Sequence, residues 1–157
     1  MEDWREAQEL LVMEGRIKVP YLWSAGEVGT RYLTALREEG KLLGTRCPVC
    51  DVVYHVPRMH CPDCFSACEE WVELGTRGVL TTFTVVRRHH PQLSPLPLPF
   101  AYGVIRLDGA GTGFVHLLHE FSEDELTVGM RVEAVFAQER EGLITDVRYF
   151  RPVREVA

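Results

Sequence analysis

The sequence predicts a mainly β protein, with helices at the N-terminus, a metal-bound ribbon after them and a five-stranded barrel at the C-terminus. Two matched cysteine pairs, Cys47-Pro-Val-Cys50 and Cys61-Pro-Asp-Cys64, predict the ribbon. Five short runs rich in β-branched and aromatic residues after Val79 predict the barrel. Apolar residues at helical spacing before Gly40 predict the helices. The implied division is 1–40 helical, 41–75 ribbon and 76–157 barrel.

Residues 1–14 carry Trp4, Ala7 and Leu11 at helical spacing among Glu2, Asp3, Glu6, Glu9 and Glu14, the pattern of a short acidic amphipathic helix that Gly15 stops. Pro20 then blocks a helix, and Tyr21, Leu22 and Trp23 form an apolar cluster on irregular chain. A second helix is expected over residues 26–39, with Ser24 as N-cap, Glu27 completing a capping box, and Gly40 ending it. Its stripe is Val28, Tyr32, Ala35 and Leu36. Such helices either fold back on the rest of the chain or dock on a partner protein.

Residues 41–46 lead as a short strand into the first cysteine pair, and residues 70–74 leave as another. Two residues inside each pair let the backbone curl around a metal as a knuckle. The residues between the pairs suffice for an out-and-back hairpin. Four soft thiolates from Cys47, Cys50, Cys61 and Cys64 satisfy one tetrahedral Zn²⁺ and leave no position for water, so the site is structural. A sulfur-only set also accepts iron, as in a rubredoxin-like site. Disulfides need an oxidising compartment, which an intracellular chain lacks. Glycine often follows such a knuckle because it reaches left-handed φ freely; here Asp51 and Phe65 stand there, and Phe65 predicts a more distorted second knuckle. His55 and His60 are the alternative ligands nearby, over which the four thiolates are preferred.

The barrel strands are expected over 80–86, 101–107, 113–118, 130–137 and 143–150. Between the third and fourth, Phe121 to Gly129 has room for one helical turn. Five strands with a helical insert after the third is the order of an OB-fold. Gly109, Gly111 and Gly113 lie between strands with no helix following, so they mark a β-turn and not a phosphate loop. The segment from His89 to Pro99 contains Pro91, Pro95, Pro97 and Pro99, too many missing donors for a ladder. It is an apolar loop that serves as a core lid or as a surface for a protein or ligand.

The chemistry legible in the chain is mostly binding. With 17 basic and 23 acidic side chains the net charge is −6, which opposes attraction to a phosphate backbone. No run is apolar enough to cross a bilayer, and the start lacks a basic signal-like stretch, so a cytoplasmic location is expected and no membrane partner. Cys68 is a spare thiol whose neighbours Glu69 and Glu70 should raise its pKa, a poor nucleophile. Arg87, Arg88, His89 and His90 form the densest positive patch, suited to the phosphates of a coenzyme A ester, and Phe100 and Tyr102 could line the same rim as substrate-binding residues. His116 and His119 are given no role.

Taken in order, several segments resemble a known family over about Tyr32 to Pro152. They are Gly40-Lys-Leu-Leu, the paired cysteines, Val56-Pro-Arg58, Glu70-Trp-Val-Glu-Leu, Thr82-Phe-Thr-Val-Val86, Val128-Gly-Met-Arg-Val132 and Phe150-Arg-Pro152. The family is the zinc-ribbon plus OB-fold group called domain of unknown function 35, companions of thiolase-like and other acyl-CoA enzymes. The resemblance implies a non-catalytic zinc subunit that sits on a thiolase-like partner with its barrel near the acyl-CoA entrance. Such complexes serve isoprenoid precursor synthesis, steroid side-chain breakdown and aromatic degradation. The chain also resembles the small subunit of a benzoylsuccinyl-CoA thiolase. The rival reading is a nucleic-acid-binding zinc-ribbon OB-fold, which would need a basic groove with exposed aromatics.

Overall fold

Helix α1, Gly26–Glu39, is the second helix expected from the sequence, and it folds back on the chain by burying Tyr32, Ala35 and Leu36. The computed structural model describes residues 22–88, 96 and 98–154, so the expected 1–14 helix lies outside the described residues. The start of α1 corrects one expectation. Ala25 is the N-cap, and the Ser24 hydroxyl accepts from the Gly26 N–H at 3.1 Å. Gly26 takes a φ of 72°, which turns the chain between Ser24 and Glu27 and removes them from capping-box register. The other end behaves as predicted: Gly40 has a φ of 65° and its N–H reaches the Leu36 carbonyl at 3.2 Å.

Three short strands form the ribbon: β1 (Leu42–Arg46), β2 (Val53–Tyr54) and β3 (Glu70–Leu74), ordered β2-β1-β3 with antiparallel pairing. The knuckles join them. Cys47 N–H donates to the Val52 carbonyl and Asp51 N–H to the Cys47 carbonyl, at 2.9 and 3.0 Å. Cys61 N–H to Ser66 and Phe65 N–H to Cys61 repeat the pattern at 2.9 and 3.0 Å. Asp51 and Phe65 both adopt left-handed φ, 55° and 62°. The second knuckle therefore has the same geometry as the first. It is not the more distorted of the two, because exposed Phe65 meets no packing that would push it out of that region.

Strands β4 (Arg77–Val86), β5 (Phe100–Leu107), β6 (Phe114–Leu118), β7 (Arg131–Phe136) and β8 (Val147–Pro152) close a barrel in the order β4-β5-β6-β8-β7. The β6–β8 pair is parallel and every other pair antiparallel, the OB-fold arrangement. The expected helical insert is a single 3₁₀ turn, Glu123–Glu125, capped by Ser122. The last strand begins later than its composition suggested. Buried Asp146 accepts from the N–H groups of Glu141, Gly142 and Leu143 at 3.0, 2.7 and 3.2 Å, holding Ile144–Asp146 as a 3₁₀ turn before β8.

One core runs through both parts. Leu36 of α1 and Leu42, Val53 and Leu74 of the ribbon belong to the same buried cluster as Leu80, Ile105, Leu118, Val132 and Phe150 of the barrel. At the seam, the loop between β5 and β6 adds to the open edge of β2, with Gly111 N–H donating to the Val53 carbonyl at 2.9 Å. Thr112 Oγ1 accepts from His55 N–H at 3.0 Å and donates to the His55 carbonyl at 2.8 Å. Gly111 suits the close approach there, since a Cβ would stand 2.8 Å from Val52 Cγ1 and would force that side chain to shift.

Candidate metal centre and its surroundings

The knuckles bring the four predicted cysteines together. Their sulfurs all lie within 4.8 Å of one another, with Cys47 and Cys64 at 3.4 Å and Cys50 and Cys61 at 3.8 Å. A tetrahedron with Zn–S bonds of about 2.3 Å has edges of about 3.8 Å, so the set fits one structural Zn²⁺. Among the described residues the cluster contains cysteines alone. His55 is turned away, with Nδ1 3.0 Å from the Leu43 carbonyl, and exposed His60 lines a different cavity, so neither competes for the metal.

The surroundings prepare the sulfurs. The Tyr54 hydroxyl lies 3.2 Å from Cys61 Sγ and is the main reason the Cys61 thiol is pulled down to about 6. Ser66 is the main cause lowering Cys64, whereas contact with the other thiols, Cys64 first, pushes Cys50 up to about 12. A bound zinc supplies the charge that displaces that proton. Arg46 ties the first knuckle to β3, with Asp51 at 2.6 Å and Glu70 at 3.1 Å. Cys68 is buried beside the cluster, and its pKa is raised as expected. The cause is burial first and the Cys47 and Cys61 charges next, not its glutamate neighbours.

The residues expected to meet a coenzyme A ester divide into pairs. Arg87 is held by Glu123, with Nε 3.0 Å from Oε2. Arg88 is exposed beside it, and His89 and His90 lie outside the described residues. Phe100 is buried, 2% exposed, edge-on to Tyr102 with ring centroids 5.6 Å apart. Tyr102 remains 38% exposed over a small cavity with Phe83, Val104 and Val115. Sequence reasoning missed the groups around a larger cavity, about 790 Å³, between Pro99, His119, Phe121, Glu123 and Arg154. These come from three stretches of chain that only barrel closure joins, so no local pattern could have revealed them. A second cavity, about 440 Å³, separates α1 from the ribbon, where the Arg31 guanidinium carbon sits 4.3 Å from the Trp71 ring centroid.

Several arginines of the barrel are paired with carboxylates. Arg77 and Arg151 meet Glu133, Arg151 also meets Glu120, and Arg131 meets Asp108. This pairing does not favour a groove for nucleic acid. No helix among the described residues is long and apolar enough to cross a membrane.

A closed four-sulfur ribbon sharing one core with a five-stranded barrel defines a zinc-ribbon OB-fold protein. Comparison with family models agrees: residues 34–70 match the rubredoxin-like zinc ribbon domain of ChsH2, and residues 71–137 match the ChsH2 C-terminal OB-fold domain. The chain is 30% identical over 123 residues to a DUF35 domain-containing scaffold protein of Methanocaldococcus jannaschii, covering 75% of this chain and 86% of that protein. A second DUF35 scaffold protein, from Pyrococcus furiosus, is 29% identical over 128 residues, 79% of this chain and 92% of the other. The chain belongs to the DUF35 family. It is also 26% identical over 95 residues to a probable enoyl-CoA hydratase alpha subunit of Thermomonospora curvata, 60% of this chain but only 29% of that one. Among solved structures, a chain of the Ltp2-ChsH2(DUF35) aldolase superposes with a TM-score of 0.59 at 26% identity, covering 78% of this chain and 91% of that chain. A DUF35 protein of unknown function from Sulfolobus solfataricus shares the fold, with a TM-score of 0.58 at 20% identity, over 70% and 78% of the two chains.

Proposed function

We propose that this chain is a non-catalytic scaffold subunit of a thiolase-like acyl-CoA C-acyltransferase complex, supporting assembly and acyl-CoA binding. The observation that carries this reading is the fusion of a closed metal centre and a barrel into one core, in a family whose relatives are described as scaffolds. A zinc with four sulfur ligands has no open coordination position, and Cys68, the one further thiol, is 4% exposed. The solved relative named for an Ltp2-ChsH2 aldolase supports a larger enzyme as partner. The resemblance to the benzoylsuccinyl-CoA thiolase small subunit makes aromatic degradation the pathway we assign.

In this reading the thioester lies at or near the shared interface. Arg87, Arg88, His89 and His90 meet the coenzyme A phosphates, and Phe100 and Tyr102 shape the rim. Arg87 must exchange Glu123 for a phosphate as the ester arrives, a swap of one charge-assisted contact for another. The test is affinity purification from the native host with mass spectrometry of the recovered chains. A thiolase-sized polypeptide in near-equal amount is expected. Recovery of this chain alone or with nucleic acid, or thioester turnover by the isolated chain, would overturn the reading. Calorimetry with coenzyme A esters should then show stronger binding to the complex than to the isolated chain.

A further inference from the structure

His55 occupies the point where α1, the ribbon and the barrel meet. The residue is 3% exposed. Nδ1 lies 3.0 Å from the Leu43 carbonyl, which assigns the ring proton to Nδ1 and leaves Nε2 as a bare acceptor. Among the described residues no group hydrogen-bonds Nε2, and the buried hydroxyl of Tyr32 is likewise without a partner. The imidazole stands edge-on to Tyr32 of α1 at 5.7 Å between centroids and to Phe114 of β6 at 4.6 Å. The main chain of the same residue makes both bonds to Thr112 that fasten the ribbon to the barrel.

We propose that His55 is an acid-operated latch, whose protonation at Nε2 loosens the ribbon and α1 from the barrel while the metal stays in the ribbon. A proton on Nε2 would create a cation in a buried site and a hydrogen-bond donor that, among the described residues, meets no partner. The groups facing it make matters worse. From α1 comes Tyr32, neutral and held so by burial; from β1, one carbonyl that is already used; from the β5–β6 loop, Thr112, which carries no charge. From β6 comes His116, whose own charge would repel that of His55. Among the described residues, no carboxylate contributes to the balance at His55. His116 differs in having two backbone partners within the barrel, the Leu117 N–H, which donates to Nδ1 at 2.9 Å, and Ile144.

Burial lowers the pKa of both histidines. The sign follows: the docked state binds fewer protons than the open state. Docking is complete above the ordinary histidine value near 6.5 and weakens as pH falls below it, by up to about tenfold per pH unit for His55.

The test is amide hydrogen exchange on the zinc-loaded full chain between pH 7.5 and 5, corrected for intrinsic rates, with zinc content measured on the same samples. The Gly111 and His55 amides, which cross the seam, should lose protection up to about tenfold per pH unit below about 6.5. Amides inside the β4–β5 ladder should not, and zinc should remain bound. In His55→Gln the seam slope should shrink, while His116→Gln should retain the His55 share. Equal loss at seam and ladder, flat protection at the seam, an unchanged slope in His55→Gln, or zinc release over the same pH range would each overturn the proposal. If His55→Gln does not fold, the seam-against-ladder comparison in the unaltered chain still decides it.

Discussion

Phe65 spends conformational energy for nothing the described packing returns. It holds a left-handed φ of 62° and leaves its ring 78% exposed. An L residue with a Cβ costs roughly 1–2 kcal/mol in that region, so Phe65→Gly should stabilise the zinc-loaded chain by about 1 kcal/mol, read as a rise in Tm. Asp51→Gly should give less, since Asp tolerates this conformation and the change forfeits the ion pair with Arg46. Asp146 is the opposite case. Burial alone would raise its pKa, but the three N–H donors outweigh that, and the carboxyl sits below its ordinary range. Its contribution is present above the unfolded value near 3.9 and is lost as pH falls through the lower folded value. Asp146→Ala should cost about 1–3 kcal/mol at neutral pH, and its deficit should narrow toward pH 2 in urea titrations. Both positions were visible in the sequence only as residue types. The odd residue after the knuckle was recognisable, whereas the role of Asp146 depends on a turn that strand composition concealed.

At the level of elements, composition located each barrel strand because inward positions alternate with outward ones, as in Ala101, Gly103, Ile105 and Leu107 of β5. It misplaced the start of β8 because Leu143 and Ile144 look like strand residues but lie exposed on the 3₁₀ turn. The contact between β4 and β5 sets a further limit. A Cβ at Gly78 would stand 2.5 Å from the Arg106 carbonyl oxygen and 2.9 Å from the Leu107 Cα, both backbone atoms. Gly78→Ala must push the two strands apart and should cost about 1–3 kcal/mol in chemical denaturation, with the zinc content of the folded fraction unchanged.

For the molecule as a whole, metal and barrel stability are linked through the seam. Replacing Cys47 or Cys61 by Ser, or removing zinc with a chelator, should unfold the ribbon, because a structural zinc contributes on the order of 10 kcal/mol. The effect should extend further: Gly111, in the barrel loop, should lose exchange protection together with the ribbon amides. An unaltered melting curve after chelation would contradict the metal assignment. The seam was the part of the structure least legible in the sequence. The Cys-x-x-Cys spacing announces its chemistry over four residues, whereas His55 and Thr112 are separated by 57 positions and neither type signals a contact. The cavity around His119 and Arg154 stayed hidden for the same reason, since only closure of the sheet makes its walls neighbours.

The two family models divide the chain between Glu70 and Trp71, yet those residues open β3, whose five residues pair with β1 of the ribbon. A fragment cut at that border would carry the ribbon's third strand away on the barrel piece, leaving raw edges on both halves. Anyone dividing this protein for a split reporter or for separate crystallisation should therefore cut after Leu74, and should expect the halves to seek each other out.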